Sequence, residues 1–328
     1  MKSDASRAIR PAVAIGVSLV AAWLLLGTQQ YMNFLTLGAI YALIALGYTL
    51  VYGIIELINF AHGDVFMVSS FLAMWILTNL LGLTGPINEP VKLAAVLLFV
   101  TLVTMVAMGL LNVIIERVAY RPLRTAPRLA PLLTAIGVSF ILGNVIYSLF
   151  GPSPQHFPAI FPLARFDLLG GKISFLSLFI IAAALTQMVG LHLFISRTRL
   201  GLAMRSTAQN RETAQLMGID IDQTIAITFF LAAALAGSAG VIEGLYFGSI
   251  QFNLGYFAGL KAFTAAVLGG IGNTIGALIG GFVIAFIEVF VTVIGLSRWI
   301  GFAVFAVLIL ILVFRPNGIL GQAPGERV

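Results

Sequence analysis

The sequence lacks cysteine and contains few charged residues. None of its 328 residues is cysteine, which excludes disulfides, thiolate metal ligands and cysteine nucleophiles. Charged residues make up only 9% of the chain, whereas hydrophobic residues make up 60% and the mean hydropathy is +1.07. A soluble domain cannot bury so much apolar surface. The composition therefore indicates an integral membrane protein whose solvent is the lipid bilayer.

Long apolar runs divide the chain into spans. A helix crosses a bilayer with about 20 apolar residues, so the chain can cross about ten times, which leaves little for a separate soluble domain. We expect spans at residues 11–27, 34–55, 64–82, 91–115, 131–150, 173–196, 224–248, 260–271, 275–295 and 299–314. The eighth is short enough to be re-entrant, because glycines at 269–272 break the stretch that contains it. The sequence predicts an all-α polytopic membrane protein of about ten helices, with one transmembrane domain over residues 1–328.

Basic residues are unevenly distributed among the predicted loops. With a cytoplasmic N-terminus, the inside carries Lys2, Arg7, Arg10, Arg117, Arg121, Arg124, Arg128, Arg197, Arg199, Arg205, Arg211, Arg315 and Arg327. The outside keeps Lys92, Arg165, Lys172, Lys261 and Arg298. Cytoplasmic loops are enriched in Lys and Arg, so both termini are predicted to be cytoplasmic. This topology, together with anionic lipid, also explains the net charge of +6 without any nucleic-acid partner.

The first predicted span resembles a signal peptide in having basic residues ahead of an apolar run. No small-residue cleavage site follows at residues 26–29. We therefore expect this segment to be retained as an uncleaved span.

One polar cytoplasmic loop, residues 197–223, has the pattern of two short helices. Leu200, Met204 and Ala208 recur at i, i+4 spacing and would form one apolar stripe on the first helix. A short helix with an apolar side has a surface on which to dock. The pattern alone leaves two interpretations open, a connector packed against membrane helices or a contact for a partner.

The second helix of this loop is outlined by its capping residues. Asn210 is suited to be its N-cap, Glu212 favours its first turn, and Gly218 can end it in the left-handed conformation. Ala214 and Met217 would share its apolar side. The pattern predicts a short helix between Asn210 and Gly218.

Polar side chains at membrane depth are costly and mark candidate sites. Asn59, His62 and Asp64 fall in a short break between the second and third spans. They either satisfy a helix junction or contribute to gating or the translocation path. Glu243 and Glu288 fall inside the seventh and ninth spans and should each face a water-filled cavity or a donor partner. Each of these glutamates either takes part in helix packing or lines the translocation path.

Small residues recur at every fourth position in two places, Ala236, Gly240, Gly244 and Gly248, and then Gly272, Gly276 and Gly280. Such stripes let helices approach closely. The break at Gly269, Gly270 and Gly272 has a second interpretation, because transporters unwind helices where backbone groups face the solute. These three glycines are therefore also candidates for the translocation path.

Ordered motifs along nearly the whole chain resemble a known family. They read LGAIYAL at 37–43, INFAHGD at 58–64, VAYRPLR at 118–124, LLTAIG at 132–137, TRLG at 198–201, LMGI at 216–219, KAFTAAVLGGIG at 261–272 and PNGILG at 316–321. Together they are similar to the permease subunits of Liv-type branched-chain amino acid ABC importers, specifically the H-type subunit. The resemblance implies a type II importer permease fold in a bacterial inner membrane. It also implies that the loop before the seventh helix docks on a cytoplasmic ATPase.

The resemblance further implies a set of contacts and partners. The implied coupling helix runs over residues 208–219 and includes Ala208, Asn210, Arg211, Glu212, Ala214, Leu216, Met217, Gly218 and Ile219. Since the chain has no G-x-x-x-x-G-K-[ST] loop, ATP and Mg²⁺ would be bound by two separate ATPase subunits, and this chain would be no enzyme and bind no cofactor or metal. The other implied partners are a second, M-type permease and a soluble substrate-binding protein. The implied solute is a branched-chain amino acid, with other amino acids, short amides and urea left open.

Two other classes of function compete with an importer. An ion-coupled secondary transporter or a channel would need a coupling-ion site or a filter, and beyond Glu243 and Glu288 the spans contain few ionisable residues. An intramembrane enzyme is not supported, because His62, His156 and His192 are scattered and no H-E-x-x-H motif is present. The first of these classes is the main alternative.

Overall fold

The protein is a bundle of helices. The computed structural model describes residues 2–57, 59–124, 126–127, 129–162, 165–168, 171–315 and 317–321. Within them the helices are α1 (Lys2–Ile55), α2 (Ala61–Trp75), α3 (Pro90–Ile115), α4 (Leu129–Phe150), α5 (Phe175–Arg197), α6 (Arg199–Gln209), α7 (Arg211–Leu216), α8 (Ile221–Phe247), α9 (Leu254–Gly269), α10 (Thr274–Val293) and α11 (Ile300–Phe314). The π-helical turns Ile76–Leu80 and Glu116–Tyr120 extend α2 and α3, and 3-10 turns lie at Arg121–Leu123 and Ser297–Trp299.

Short strands occur only in connections, among the residues that the structure describes. They are β1 (Gln155–His156), β2 (Arg165–Leu168), β3 (Gly171–Ser174) and β4 (Ser249–Ile250). The strand β1 pairs with β4, and β2 pairs with β3, both antiparallel. These two small ribbons cover one end of the helical bundle.

Eight helical segments of the described residues are long and apolar enough to cross a membrane. They are Ala22–Ile55, Ala61–Leu80, Pro90–Leu123, Leu129–Phe150, Phe175–Arg197, Ile221–Phe247, Thr274–Val293 and Ser297–Phe314. Helix α9 is also apolar, but its 16 residues reach only about 24 Å against a hydrocarbon core of about 30 Å. These nine segments correspond to the second to tenth predicted spans. The predicted class, an all-α polytopic membrane protein, is confirmed.

The first predicted span, residues 11–27, forms part of α1. Gly27 has φ 73° and ψ 162°, which are not helical angles, so α1 consists of two helices that meet at a kink. The predicted end of the first span coincides with this kink. The side chains of residues 1–21 lie outside the described part of the chain.

Burial differs strongly between helices. Helix α1 after its kink and helix α8 lie at the centre, where nearly every side chain from Leu37 to Val51 is buried. Helix α11, in contrast, buries only Val304. Apolar side chains facing outward are expected on a helix whose surroundings are lipid or another membrane subunit.

The small-residue stripes mediate close helix packing, as predicted. The hydroxyl of Ser70 on α2 donates to the carbonyl oxygen of Gly240 on α8 at 2.9 Å, and Ser69 donates to the carbonyl oxygen of Ala236 at 3.2 Å. Gly276 and Gly280 on α10 lie directly against the backbone of α9. The small residues at these positions allow two helix pairs, α2 with α8 and α9 with α10, to approach closely.

The predicted loops collect at two ends of the bundle. One end holds residues 116–124, α6, α7 and the start of α8; we call it the basic end, because Arg117, Arg121, Arg124 and Arg211 lie there. Arg128 and Arg327, which the sequence also assigns to this side, lie outside the described residues. The other end holds the strands. There the connection between α2 and α3 meets the connection between α4 and α5, through a hydrogen bond of 2.9 Å from Ile87 N to Ile160 O. The grouping of loops thus agrees with the predicted alternation.

The position of Lys261 corrects one part of the predicted topology. Lys261 was counted among the outside charges, at the start of the predicted eighth span, residues 260–271. In the structure α9 begins at Leu254, seven residues earlier than Lys261, and the side chain lies within the helix. An internal carboxylate accounts for this position, since Lys261 Nζ is 2.8 Å from Glu288 Oε1.

Candidate functional site

The loop over residues 197–223 folds into two short helices, as predicted. The side chain of Thr198 accepts a hydrogen bond from Gly201 N at 3.0 Å and begins α6. The side chain of Asn210 accepts one from Thr213 N at 2.9 Å and begins α7, which confirms the predicted N-cap. Asp220 caps α8 in the same way through Gln223 N at 3.0 Å. Successive capping residues therefore divide this loop into rigid pieces.

The predicted single coupling helix over residues 208–219 is wrong. Asn210 has φ −157° and ψ 111°, an extended conformation that separates Ala208 on α6 from α7. Gly218 has φ 84°, the left-handed conformation that glycine adopts without strain, so Ile219 lies beyond the helix. The helical part of the segment is the six residues of α7.

Two predicted apolar faces are also corrected. Ala214 is buried, with 3% exposure, but Met217 is 79% exposed, so the two do not share a side. The reason is that α7 ends at Leu216 and the chain leaves helical geometry at Met217, where ψ is 7°. On α6, Met204 is buried and Ala208 is partly buried, whereas Leu200 is exposed.

Helix α7 is attached to the bundle on one side and open on the other. Arg211 Nη2 donates to the carbonyl oxygen of Ile54, at the end of α1, at 2.9 Å. Burial, with a smaller effect of the nearby Arg124, lowers the pKa of Arg211, while Glu56 partly offsets this. The open side carries Leu216, 87% exposed, and Met217, with Glu212 also exposed in the first turn. Two adjacent exposed apolar side chains on an anchored helix form a surface suited to a protein partner.

An ionic network ties the connections of the basic end together. Arg124 pairs with Glu116 and with Asp222, and Arg121 pairs with Asp222. Glu116 is only 1% exposed, whereas Asp222 is 46% exposed. The network joins the end of α3 to the start of α8, directly beside α7. Sequence reasoning included these arginines in a motif but assigned no partner to them, because the pairing is between residues distant in the chain.

The predicted break that holds Asn59, His62 and Asp64 is shorter than expected. Helix α1 ends at Ile55 and α2 begins at Ala61, so only Asn59 lies in the break, while His62 and Asp64 belong to the first turn of α2. These three polar residues can be buried because each contacts a hydrogen-bond partner or an aromatic ring. Tyr120 donates to Asn59 Oδ1 at 2.7 Å, the ring centroids of His62 and Tyr48 are 4.7 Å apart, and Ser139 donates to Asp64.

The second polar group in the membrane surrounds Glu288. Its carboxylate accepts hydrogen bonds from Tyr41 Oη at 2.8 Å and from Lys261 Nζ at 2.8 Å, and Lys261 also contacts Tyr41 Oη at 3.2 Å. The expectation that Glu288 has a donor partner is confirmed. Glu243 on α8 is 6% exposed, and no ion pair joins it to Lys261 among the described residues. Lys261 therefore directly compensates Glu288 alone.

The glycine break between α9 and α10 lies at the basic end and is covered by the C-terminal segment of the chain. Gly270 has φ 106° and connects α9 to α10, whose N-cap Asn273 accepts from Ile275 N at 3.0 Å. Ile319 N donates to the carbonyl oxygen of Leu268 at 2.8 Å, and Leu320 N donates to that of Gly269 at 3.0 Å. The C-terminal segment thus satisfies backbone groups that the break exposes. A role of Gly269, Gly270 and Gly272 in the path stays a prediction.

An open cavity of about 630 Å³ lies between α2, α4 and α9. Asp64 is the single path candidate of the sequence that lines it; Asn59, His62, Glu243 and Glu288 do not. Seven of the other fifteen lining residues are aromatic, and sequence reasoning named none of them as a site candidate. They come from four separate parts of the chain, so no local pattern could have grouped them.

Comparison with known proteins gives one family. The family model described as branched-chain amino acid transport system, permease component, matches residues 30–313. The predicted first span lies outside the matched residues. No solved structure gives a significant match to this chain.

Curated relatives match along most of the chain. The high-affinity branched-chain amino acid transport system permease protein BraD of Pseudomonas aeruginosa is 42% identical over 304 residues, which are 92% of this chain and 97% of the relative. The corresponding permease protein LivH of Escherichia coli K12 is 40% identical over the same shares of both chains. A probable branched-chain amino acid transport permease of Methanocaldococcus jannaschii is 32% identical over 75% of this chain and 73% of the relative.

Proposed function

This chain belongs to the family of branched-chain amino acid transport permease components, and on that premise we propose that it is the permease subunit of an ATP-driven importer. The importer takes branched-chain or related amino acids across the bacterial inner membrane. The chain itself hydrolyses no ATP. Two cytoplasmic ATPase subunits bind ATP and Mg²⁺, a second, M-type permease completes the pore, and a soluble binding protein delivers the solute. Both termini of the chain face the cytoplasm.

The observation that carries the proposal is the geometry of α7. The helix is held to the bundle by Arg211 and by the buried Ala214, while Leu216 and Met217 point outward. A segment that only connected two membrane helices would have no reason to expose two large apolar side chains next to the Asn210 cap and the Arg211 hydrogen bond. A docked ATPase would cover them. Helix α7 is therefore the coupling helix of the proposed importer.

The same geometry supports a mechanical route from the ATPase to the bundle. Helix α7 runs into the N-cap of α8, contacts the end of α1 through Arg211, and lies beside the network of Arg124 and Asp222 that leads to α3. Movement of α7 on ATP binding thus displaces three membrane helices together. Because packed helices shift between discrete arrangements, this displacement tilts the bundle between inward-open and outward-open states.

The solute follows from the family, and the binding protein selects it. The relatives are named for branched-chain amino acids, which supports these as the first solutes to test, before other amino acids, short amides and urea. Asp64, Glu243 and Glu288, with Asn59 and His62, are proposed to lie in or next to the path. No strong charge site is needed for an apolar side chain.

The test is uptake of leucine in proteoliposomes that hold the permease with its ATPase, M-type and binding-protein partners. Met217→Asp places a charge on the exposed contact without touching the bundle, so we expect ATP-driven uptake to fall about tenfold or more, as at an interface hot spot. Met217→Leu, which keeps the contact apolar, is the matched control and should transport like the wild type. Ala214→Asp is a poorer probe, because Ala214 is buried and the variant would unfold α7 locally.

The alternative function predicts the opposite pattern. Uptake by this chain alone, driven by an ion gradient and unaffected by ATP or by Met217→Asp, would make it a secondary transporter and overturn the proposal. Co-purification of the assembled partners with the Met217→Leu variant checks that assembly is intact.

A further inference from the structure

The cavity between α2, α4 and α9 combines one carboxylate with many aromatic rings. Asp64, Ser139, Asn144 and Asn253 supply its polar side chains, and its rings are those of Tyr48, Phe60, Phe140, Tyr147, Phe252, Tyr256 and Phe263. Ring contacts hold the wall in shape: Tyr48 and Phe60 both pack against Phe263, with centroids 6.0 and 5.8 Å apart. A cavity of about 630 Å³ is ample for one small solute.

Asp64 differs from Glu116 and Glu288, which are both stabilised by basic side chains. Glu116 pairs with Arg124, and Glu288 pairs with Lys261. No basic side chain within the described ranges pairs with Asp64, which is 6% exposed and is held by the hydroxyl of Ser139. A carboxylate at membrane depth is stabilised by a cation. The partly open cavity on which it borders is the place from which a cation can approach.

The position of the Asp64 carboxylate is fixed from behind. Helices α2 and α9 approach so closely that a Cβ atom added at Gly255 would lie 2.6 Å from Asp64 Oδ1 and 2.8 Å from Asp64 Cα. Ser139 on α4 holds the carboxylate from the other side. Asp64 also lies in the first turn of α2, where the helix dipole favours negative charge. The carboxylate is therefore held at the edge of the cavity.

The surrounding rings suit an ammonium ion joined to an aliphatic group. The faces of aromatic rings attract cations, and their surface also packs against branched alkyl groups. A free inorganic cation would need several oxygen ligands, whereas here one carboxylate is surrounded mainly by carbon. The chemistry of the cavity thus matches a primary ammonium group that carries an apolar side chain.

We propose that Asp64 binds the ammonium group of the amino acid in transit, whose side chain lies against the aromatic wall of this cavity. The inference rests on the proposed function and goes beyond it by assigning one recognition contact inside the membrane. It also gives this permease some selectivity of its own, since a solute without an amino group leaves Asp64 without its cation.

A labelling experiment tests the contact without depending on transport. Because the chain has no cysteine, replacing the cavity-lining Asn144 by cysteine, Asn144→Cys, gives this chain a single maleimide site, whose labelling is followed on the permease band of the assembled importer. Leucine should slow labelling several-fold, whereas 4-methylpentanoate, which has the same side chain and carboxylate but no ammonium group, should not. Adding Asp64→Asn should abolish protection by leucine, and Asp64→Glu should retain most of it.

The outcomes separate this site from the proposed function. Unchanged labelling of the Asp64→Asn variant without leucine shows that the cavity is intact. Equal protection by leucine and 4-methylpentanoate, or full protection of Asp64→Asn by leucine, overturns the inference. If the wild type imports leucine with ATP but leucine gives no protection, only this site is wrong. If the wild type imports no leucine with ATP, the proposed function fails and this inference fails with it.

Discussion

The two ionic clusters in the described part of the chain differ in their surroundings. At the basic end, Arg121 and Asp222 each keep 46% of their side-chain surface exposed, so water competes with their ion pair. Inside the bundle, Lys261 and Glu288 keep only 24% and 15%. There the pair is completed by Tyr41, whose hydroxyl donates to Glu288 Oε2 at 2.8 Å.

This difference assigns different tasks to similar side chains. An exposed pair contributes little energy and can break and reform when helices move. A buried pair is costly to break, because the remaining charge loses its compensation. The exposed pair of Arg121 and Asp222 is therefore suited to movement, whereas the pair of Lys261 and Glu288 holds α9 to α10 as a unit. Four substitutions test this contrast, from the largest expected effect to the smallest.

The interior pair should show the largest loss of stability. Lys261→Met leaves Glu288 in the bundle with Tyr41 as its remaining partner, and we expect the free energy of unfolding to fall by about 3 kcal/mol. Unfolding of the purified permease by SDS titration measures it. The double variant Lys261→Met with Glu288→Leu should recover part of the loss. If the double variant loses as much free energy of unfolding as the two single variants together, the two residues are not coupled.

Glu116 should come second, although it belongs to the basic end. It is 1% exposed and accepts from Arg124, so Glu116→Gln should cost about 2 kcal/mol in the same titration, as for a hydrogen bond between charged groups. Asp222→Asn, in the exposed part of the network, is the control and should cost less. Equal losses of unfolding free energy in Glu116→Gln and Asp222→Asn would show that burial does not determine how much each carboxylate contributes to stability.

The cap of α7 should give a smaller and local effect. Asn210→Ala removes the hydrogen bond to Thr213 N and should destabilise α7 by about 1 kcal/mol. Faster hydrogen exchange confined to residues 211–217 is the expected result, together with weaker ATP-driven uptake. Asn210→Ser keeps a capping oxygen and should behave like the wild type. Faster exchange throughout the bundle would contradict a local role.

The exposed pair should matter least. Arg121→Gln should change the free energy of unfolding by less than about 1 kcal/mol, and added salt should reduce even this difference. Lys261→Met, measured at the same salt concentrations, provides the comparison, since its effect should depend little on salt. A strong, salt-independent loss in Arg121→Gln would remove the distinction between the two clusters.

Several features of the candidate site were predictable because their causes are local. A cap such as Asn210 and a left-handed glycine such as Gly218 act on residues three or four positions away. The glycine break after α9 belongs to the same class. Met217 was placed on the wrong side of α7, since the sequence period does not reveal that the helix ends one residue earlier. Lys261 was counted among the outside charges because a charge alone does not show that Glu288 lies opposite.

The sequence by itself determined the membrane class, the approximate number and position of the spans, and the grouping of the loops. Hydrophobicity and charge decide these properties segment by segment, since each helix satisfies its own backbone in the bilayer. Only the tertiary structure decided which polar side chains meet. Asp64 borders an aromatic cavity, and Glu288 finds Lys261 and Tyr41, because three or more helices pack side by side in a register that no single segment encodes.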